Sequence, residues 1–236
     1  MRIPPQNMEI ERIYTQLARN EYHVIAISSA NKGEGVTSVA LALTHRSLLA
    51  GNKTLLIDLN LHRPALNKLM DLEVQESANR SFEIPKLVTV QDQSIALQGI
   101  TAPTRRDLVI KLRKPGVLEQ YIEQWQKSFD TIIFDTSPIN RNNAGNIPAE
   151  RVAAACDGVL LVVHAGHTNE AMVSTAVKKI RLAGGELLGC ILNDRDNPTL
   201  KSELLRETQR LEPRFSYFAN LIRTWLRNNR LLSTEV

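Results

Sequence analysis

Five short apolar runs, at 22–28, 54–58, 131–135, 158–163 and 187–192, punctuate the chain. They are near-continuous in Val, Ile and Leu rather than alternating, which is the pattern of strands covered on both faces. Between them, 37–50, 117–126, 148–155 and 169–183 carry apolar positions at helical spacing, and Gly51 and Gly184 fall where C-terminal caps belong. This alternation predicts an α/β fold, a parallel β-sheet flanked by helices through right-handed crossovers. The stretch 71–112 mixes polar turns with short apolar pieces and reads as an insertion with a further strand at 96–100. A helix at 8–19 precedes the first strand, and helices at 199–211 and 215–232 close the chain. With no repeat and no Gly/Ser linker, residues 1–236 read as a single domain.

Composition narrows the class. The 236 residues are 43% hydrophobic and 23% charged, which excludes a disordered tail or a disulfide-stapled miniprotein. The longest apolar run, 159–163, is strand-sized and far below the ~18–20 residues of a membrane span. The first eleven residues hold two prolines and two acids and no apolar signal core, so a cytoplasmic location is expected. Cys156 and Cys190 lie in apolar surroundings without metal-ligand spacing and read as reduced core residues. The net charge of +4 is concentrated in 195–236, with eight basic and five acidic side chains. That surplus is too small to argue for a nucleic-acid partner, and none is expected.

The chemistry-bearing signals follow the strands. After the first comes Ser29-Ala30-Asn31-Lys32-Gly33-Glu34-Gly35-Val36-Thr37-Ser38 and then a helix. A strand, a glycine-bearing loop and a helix N-terminus together form an anion site from backbone N–H groups and the helix dipole. In a phosphate loop of the Gly-Lys-Ser/Thr type the lysine reaches the β/γ-phosphates and the hydroxyl ligates magnesium. Thr37 supplies the hydroxyl here, whereas Val36 stands at the lysine position. The second strand ends Leu56-Ile57-Asp58-Leu59-Asn60, and the third Ile133-Phe134-Asp135-Thr136-Ser137-Pro138. Acids at the carboxyl ends of such strands lie beside the ligand crevice of an open sheet, where they hold magnesium or orient an attacking hydroxyl. Each aspartate alone also suits a turn or a helix cap; their joint order is harder to reach by chance.

In combination these segments resemble the bacterial tyrosine kinases of capsule and exopolysaccharide synthesis, relatives of the MinD/ParA deviant-Walker ATPases. The resemblance rests on Ser29-Ala30, Gly33-Glu34-Gly35, Asp58, Arg63-Pro64, Asp130 to Pro138, Cys156 to Val163 and Gly189 to Asp194. It implies a P-loop fold and a site for ATP or ADP with Mg2+. Gly33, Glu34, Gly35, Val36, Thr37 and Ser38 would line the phosphates, with Asn193 near the adenine. Thr37, Asp58 and Asp135 would hold the metal, the two aspartates being also the catalytic acids.

The departures from the family pattern are as informative. Val36 replaces the catalytic lysine, and Asn60 replaces the second acid of the Asp-x-Asp motif. The C-terminal tyrosine cluster is missing, Tyr217 being the only tyrosine after Tyr121. Valine donates no hydrogen bond, and removing one preorganised donor typically costs ~10²–10³ in rate. Lys32, four positions upstream, is the candidate substitute. The resemblance therefore implies a degenerate enzyme that contacts a membrane polysaccharide co-polymerase, with an active kinase using Lys32 and a MinD-like positioning protein as alternatives.

At the two ends, Glu9 and Arg12 match part of a ring-assembly segment of the family, although Thr15 replaces its last arginine, so a homo-oligomer and a plain amphipathic helix are both open. Phe218, Leu221, Ile222, Trp225 and Leu226 form one apolar stripe with Arg223, Arg227 and Arg230 beside it. That helix suits either docking on the core or peripheral contact with the inner membrane surface. His164 and His167 read as ordinary strand-end residues.

Overall fold

The structure, a computed structural model, describes residues 3–66, 82, 85–89, 96–141 and 145–195. The chain groups into two compact units, Met1–Asn193 and Asp194–Val236, and the described residues lie almost wholly in the first. The helices expected at 199–211 and 215–232, with the stripe from Phe218 to Leu226, fall outside them.

In chain order the elements are α1 (Met8–Arg19), β1 (Val24–Ser29), α2 (Val36–Leu49), β2 (Thr54–Leu59), β3 (Lys86–Thr89) and β4 (Ala96–Ile100). There follow α3 (Arg106–Leu112), α4 (Val117–Gln126), β5 (Thr131–Thr136), α5 (Ala149–Ala155), β6 (Gly158–His164), α6 (Glu170–Leu182) and β7 (Leu187–Asn193). The strands form one sheet in the order β3-β4-β2-β5-β1-β6-β7. Six are parallel, as the alternation predicts. The seventh, β3, pairs antiparallel with β4 at one edge, a strand that the polar sequence around it conceals.

Side chains alternate across each strand, so each strand feeds two cores. On one face α1 and α2 pack Ile10, Leu17, Val39 and Leu43 against Ile25, Ile27, Leu56 and Ile133. On the other, α3 to α6 cover Ala26, Leu55, Ile57, Ile132 and Phe134. There Trp125 stacks on Tyr121 with ring centroids 5.6 Å apart and meets Phe82 and Phe134 at 5.8 and 6.4 Å. The strand starts are fixed by acids: Asp157 Oδ2 accepts from the N–H groups of His23 and Val24 at 2.7 and 2.8 Å, and Asp130 Oδ2 from that of Lys53 at 2.8 Å.

Helix α1 has the expected span, capped by Asn7, whose Oδ1 accepts from Glu9 N at 2.9 Å. The Arg46 guanidinium holds it to α2 through two hydrogen bonds to Glu11, drawing the Glu11 carboxyl below its ordinary pKa, and lies 4.2 Å over the Tyr14 ring. Helices α5 and α6 begin one residue later than the periodicity suggests, because Pro148 and Asn169 serve as their caps.

The apolar pattern predicts a β7 covered on both faces and a buried Cys190. Among the described residues Cys190 is exposed and Leu192 is 69% exposed. The reason is position: β7 ends the sheet, with β6 alone beside it.

Trp125→Ala removes the centre of the aromatic cluster and should lower unfolding stability by about 3–5 kcal/mol in a urea titration, with the slope unchanged.

Candidate nucleotide site at the carboxyl ends of the strands

Parallel pairing sets Asp58 of β2 directly beside Asp135 of β5, and Ile27 of β1 on the other side of Asp135. All three strands end here, and β1 continues through the Ala30–Gly35 loop into the N-terminus of α2. Gly33 and Gly35 have φ of +82° and +100°, so the loop turns where a Cβ would be strained. Gly35 is constrained twice, since a Cβ there would lie 2.6 Å from Asn193 Nδ2. Gly35 caps α2 without a side-chain hydrogen bond, and no acid sits in the first turn, so the positive end of the helix dipole faces the crevice.

The loop is held by neighbours far away in sequence. Glu34 is 2% exposed, and its Oε1 accepts from Asn31 N at 3.1 Å and from Thr168 Oγ1 at 2.6 Å. Its backbone oxygen accepts from Asn193 Nδ2 at 2.8 Å. Asn31 Nδ2 donates to Met172 Sδ at 3.1 Å, and Asn140 Nδ2 to the Met172 carbonyl at 3.0 Å. The structure thus brings Asn193 to the loop and engages its amide with loop backbone. Thr168, Asn140 and Met172 carry no recognisable motif, because the contacts they make span 32 to 141 residues.

Both expected aspartates are buried, Asp58 at 0% and Asp135 at 1% exposure. Their surroundings differ. Asp58 accepts three backbone N–H groups, from Asn60 at 2.9 Å, Ala65 at 2.8 Å and Leu66 at 3.1 Å. Asp135 accepts one hydroxyl, Thr37 Oγ1 at 2.6 Å to Oδ2, while its Oδ1 is buried without a partner. Desolvation raises both carboxyls; the Asp58 charge adds to this at Asp135, whose pKa is pushed up to about 8. Asn60, at the missing second acid, acts as a turn former: its Oδ1 accepts from Arg63 N at 3.3 Å. Arg63 itself is exposed.

The donor set is half complete. Thr37 Oγ1 and the open Asp135 Oδ1 are hard oxygen donors that fit a magnesium ion, which would supply Lewis-acid stabilisation of phosphoryl charge. The backbone around Gly33 to Gly35 fits a phosphate. The lysine position does not. Val36 is 7% exposed and packs in the apolar core beneath α1 and α2. Lys32 is exposed and has no hydrogen-bond or ion-pair partner among the described residues. Ser38 lies in the first turn of α2, as expected.

Known proteins resemble the chain in sequence and in fold. Over 196 residues the chain is 28% identical to tyrosine-protein kinase CpsD of Streptococcus agalactiae, covering 77% of this chain and 80% of that one. The chain is a relative of the bacterial tyrosine kinases. The succinoglycan biosynthesis transport protein ExoP of Rhizobium meliloti is 27% identical over 186 residues, 76% of this chain and 23% of the relative. Among solved structures, the kinase domain of the Escherichia coli tyrosine kinase ETK superposes with a TM-score of 0.66 at 21% identity, over 78% and 73% of the two chains. Cobyrinic acid a,c-diamide synthase of Mycobacterium smegmatis, solved with an ATP analogue and magnesium, gives 0.55 at 17% identity, over 79% and 78%. These two show the P-loop fold. No family model matches the chain.

The carboxyl pair sets a pH dependence in the metal-free protein. Between about pH 4 and pH 8 folded Asp135 keeps a proton that the unfolded chain releases, so stability falls as pH rises through that window. Asp135→Asn should flatten this decline, by up to about 1.4 kcal/mol per pH unit, in urea titrations repeated from pH 5 to pH 8. Gly35→Ala should lower the thermal midpoint, because the new methyl meets Asn193 at a backbone angle that alanine disfavours.

Proposed function

We propose that the protein is a tyrosine-kinase relative acting in exopolysaccharide synthesis or export, with phosphoryl transfer lost or nearly so. Its work is contact with the cytoplasmic face of a membrane polysaccharide co-polymerase. The observation that carries this reading is Val36, an isopropyl group buried in the core where a phosphate-binding cation belongs. Losing such a donor costs about 2.7–4 kcal/mol of transition-state stabilisation. Asn60 removes a second charged group, and its amide is already used in a turn. The fold, the loop and the Thr37–Asp135 pair remain, as expected of a scaffold kept for its shape.

The polysaccharide connection is supported by the likeness to ExoP, a succinoglycan biosynthesis transport protein. Among the described residues no helix is long and apolar enough to cross a membrane. Self-association through α1, where Arg12 pairs with Glu9 at 3.0 Å, and surface binding through Phe218, Leu221, Ile222, Trp225 and Leu226 belong to the same proposal. The alternative of an active kinase gives Lys32 the missing role. Lys32 is exposed and would have to turn inward.

Calorimetric titration with Mg-ATP separates the two. Wild-type protein should bind weakly, Lys32→Ala should change nothing, and Val36→Lys should tighten binding about tenfold or more through one charge-assisted contact. Micromolar binding by wild type that disappears in Lys32→Ala would establish the Lys32 enzyme instead.

A further inference from the structure

A cavity of about 180 Å³ opens at the amino ends of the central strands, where β1 and β5 begin and the C-terminal halves of α1 and α2 converge. Helix α2 runs from the phosphate loop to this cavity, which it lines with Leu43 and Ser47, and at ~1.5 Å per residue these lie about 10–16 Å along the helix from Val36. The cavity is therefore no extension of the nucleotide site.

Its floor is apolar, made by the buried side chains of Leu17, Ile25, Leu43 and Ile133. One wall is polar and partly ordered before any ligand arrives. Asn52 Nδ2 donates to the Tyr14 hydroxyl at 2.9 Å and to Ser47 Oγ at 3.3 Å, and Thr54 Oγ1 donates to Ser47 Oγ at 2.8 Å. Tyr14 is used there as an acceptor, so its own O–H proton has no acceptor among the described residues. Asn52 Oδ1 likewise receives no donor among them. The Tyr14 ring is fixed from outside by the Arg46 guanidinium, itself held by Glu11. One free donor and one free acceptor thus sit above an apolar floor.

Charge decides the class of ligand. Among the described residues no lysine or arginine lines the cavity; besides its tyrosines its ionisable side chains are His23 and the exposed Asp130, and the nearby Arg46 is already paired with Glu11. A phosphate or carboxylate would meet the Asp130 carboxylate without a lysine or arginine on the wall to offset it. Apolar walls with a few convergent polar groups are the general form of a small-molecule site. We propose that this cavity binds an uncharged aromatic ring bearing an amide or hydroxyl group. The ring lies on Leu17, Ile25, Leu43 and Ile133, and the polar group accepts from Tyr14 and donates to Asn52 Oδ1.

Benzamide and its isosteric anion benzoate are the probes, titrated into the full-length protein with amide chemical shifts as the readout. Benzamide should saturate with one-to-one stoichiometry, and the shifts should centre on Ser47, Asn52 and Thr131. Tyr14→Phe keeps the ring and should weaken binding about threefold to tenfold. Ala18→Trp, which fills the opening, should abolish it. Benzoate should bind at least tenfold more weakly than benzamide. Absence of saturation by benzamide, equal affinity for benzoate, or shifts centred away from these residues would each overturn the assignment. An unchanged benzamide affinity in Tyr14→Phe would overturn the role given to its hydroxyl.

Discussion

The register between β2 and β5 is the constraint on which the site depends. Pairing Asp58 with Asp135 in neighbouring parallel strands puts two carboxyls side by side in the core, beneath the first turn of α2. Water solvates neither, so each must be satisfied by the protein or keep its proton. Asp58 is satisfied by three backbone N–H groups, which in turn fold the segment after β2 back over the strand end. Asp135 has Thr37 alone and keeps its proton up to about pH 8. That difference divides the labour: one acid builds a turn, and the other is left with a buried oxygen that has no partner among the described residues.

The counterpart of that acid is a cation, and the chain has given up one of the two expected there. A divalent ion between Thr37 and Asp135 would satisfy the buried oxygen. The second cation, a lysine in the first turn of α2, is Val36, and it has joined the hydrophobic core. Because the valine packs with Val39, Leu43 and Leu160, it contributes to folding as an ordinary core residue does. The loop is likewise stabilised from within, by Thr168 and Asn193 on Glu34. A loop ordered by its own neighbours is held in shape by the protein itself.

Much of this was legible in one sequence. The strands β1, β2, β5 and β6 are buried along nearly their whole length, so their composition alone marked them. Helix α4 came out with its expected limits because Leu118, Tyr121, Ile122 and Trp125 keep strict helical spacing. Thr37, Asp58 and Asp135 were visible as a set, since strand ends are where an open sheet gathers acids. The edges were less legible. Strand β3 is four residues long and pairs with one neighbour, and β7 has the apolar composition of a central strand at an edge position. The contacts that hold the loop were invisible, as nothing local marks Thr168 for Glu34, 134 residues away. The cavity under α1 was invisible for the same reason: its walls come from five separate segments.

On the proposed reading a buried isopropyl group at position 36 has silenced phosphoryl transfer. Single-turnover release of γ-phosphate from saturating Mg-ATP, measured beside the kinase domain of a lysine-bearing relative, tests it most directly. The account predicts release at least about 10²-fold slower in this protein. Release at the relative's rate would contradict it.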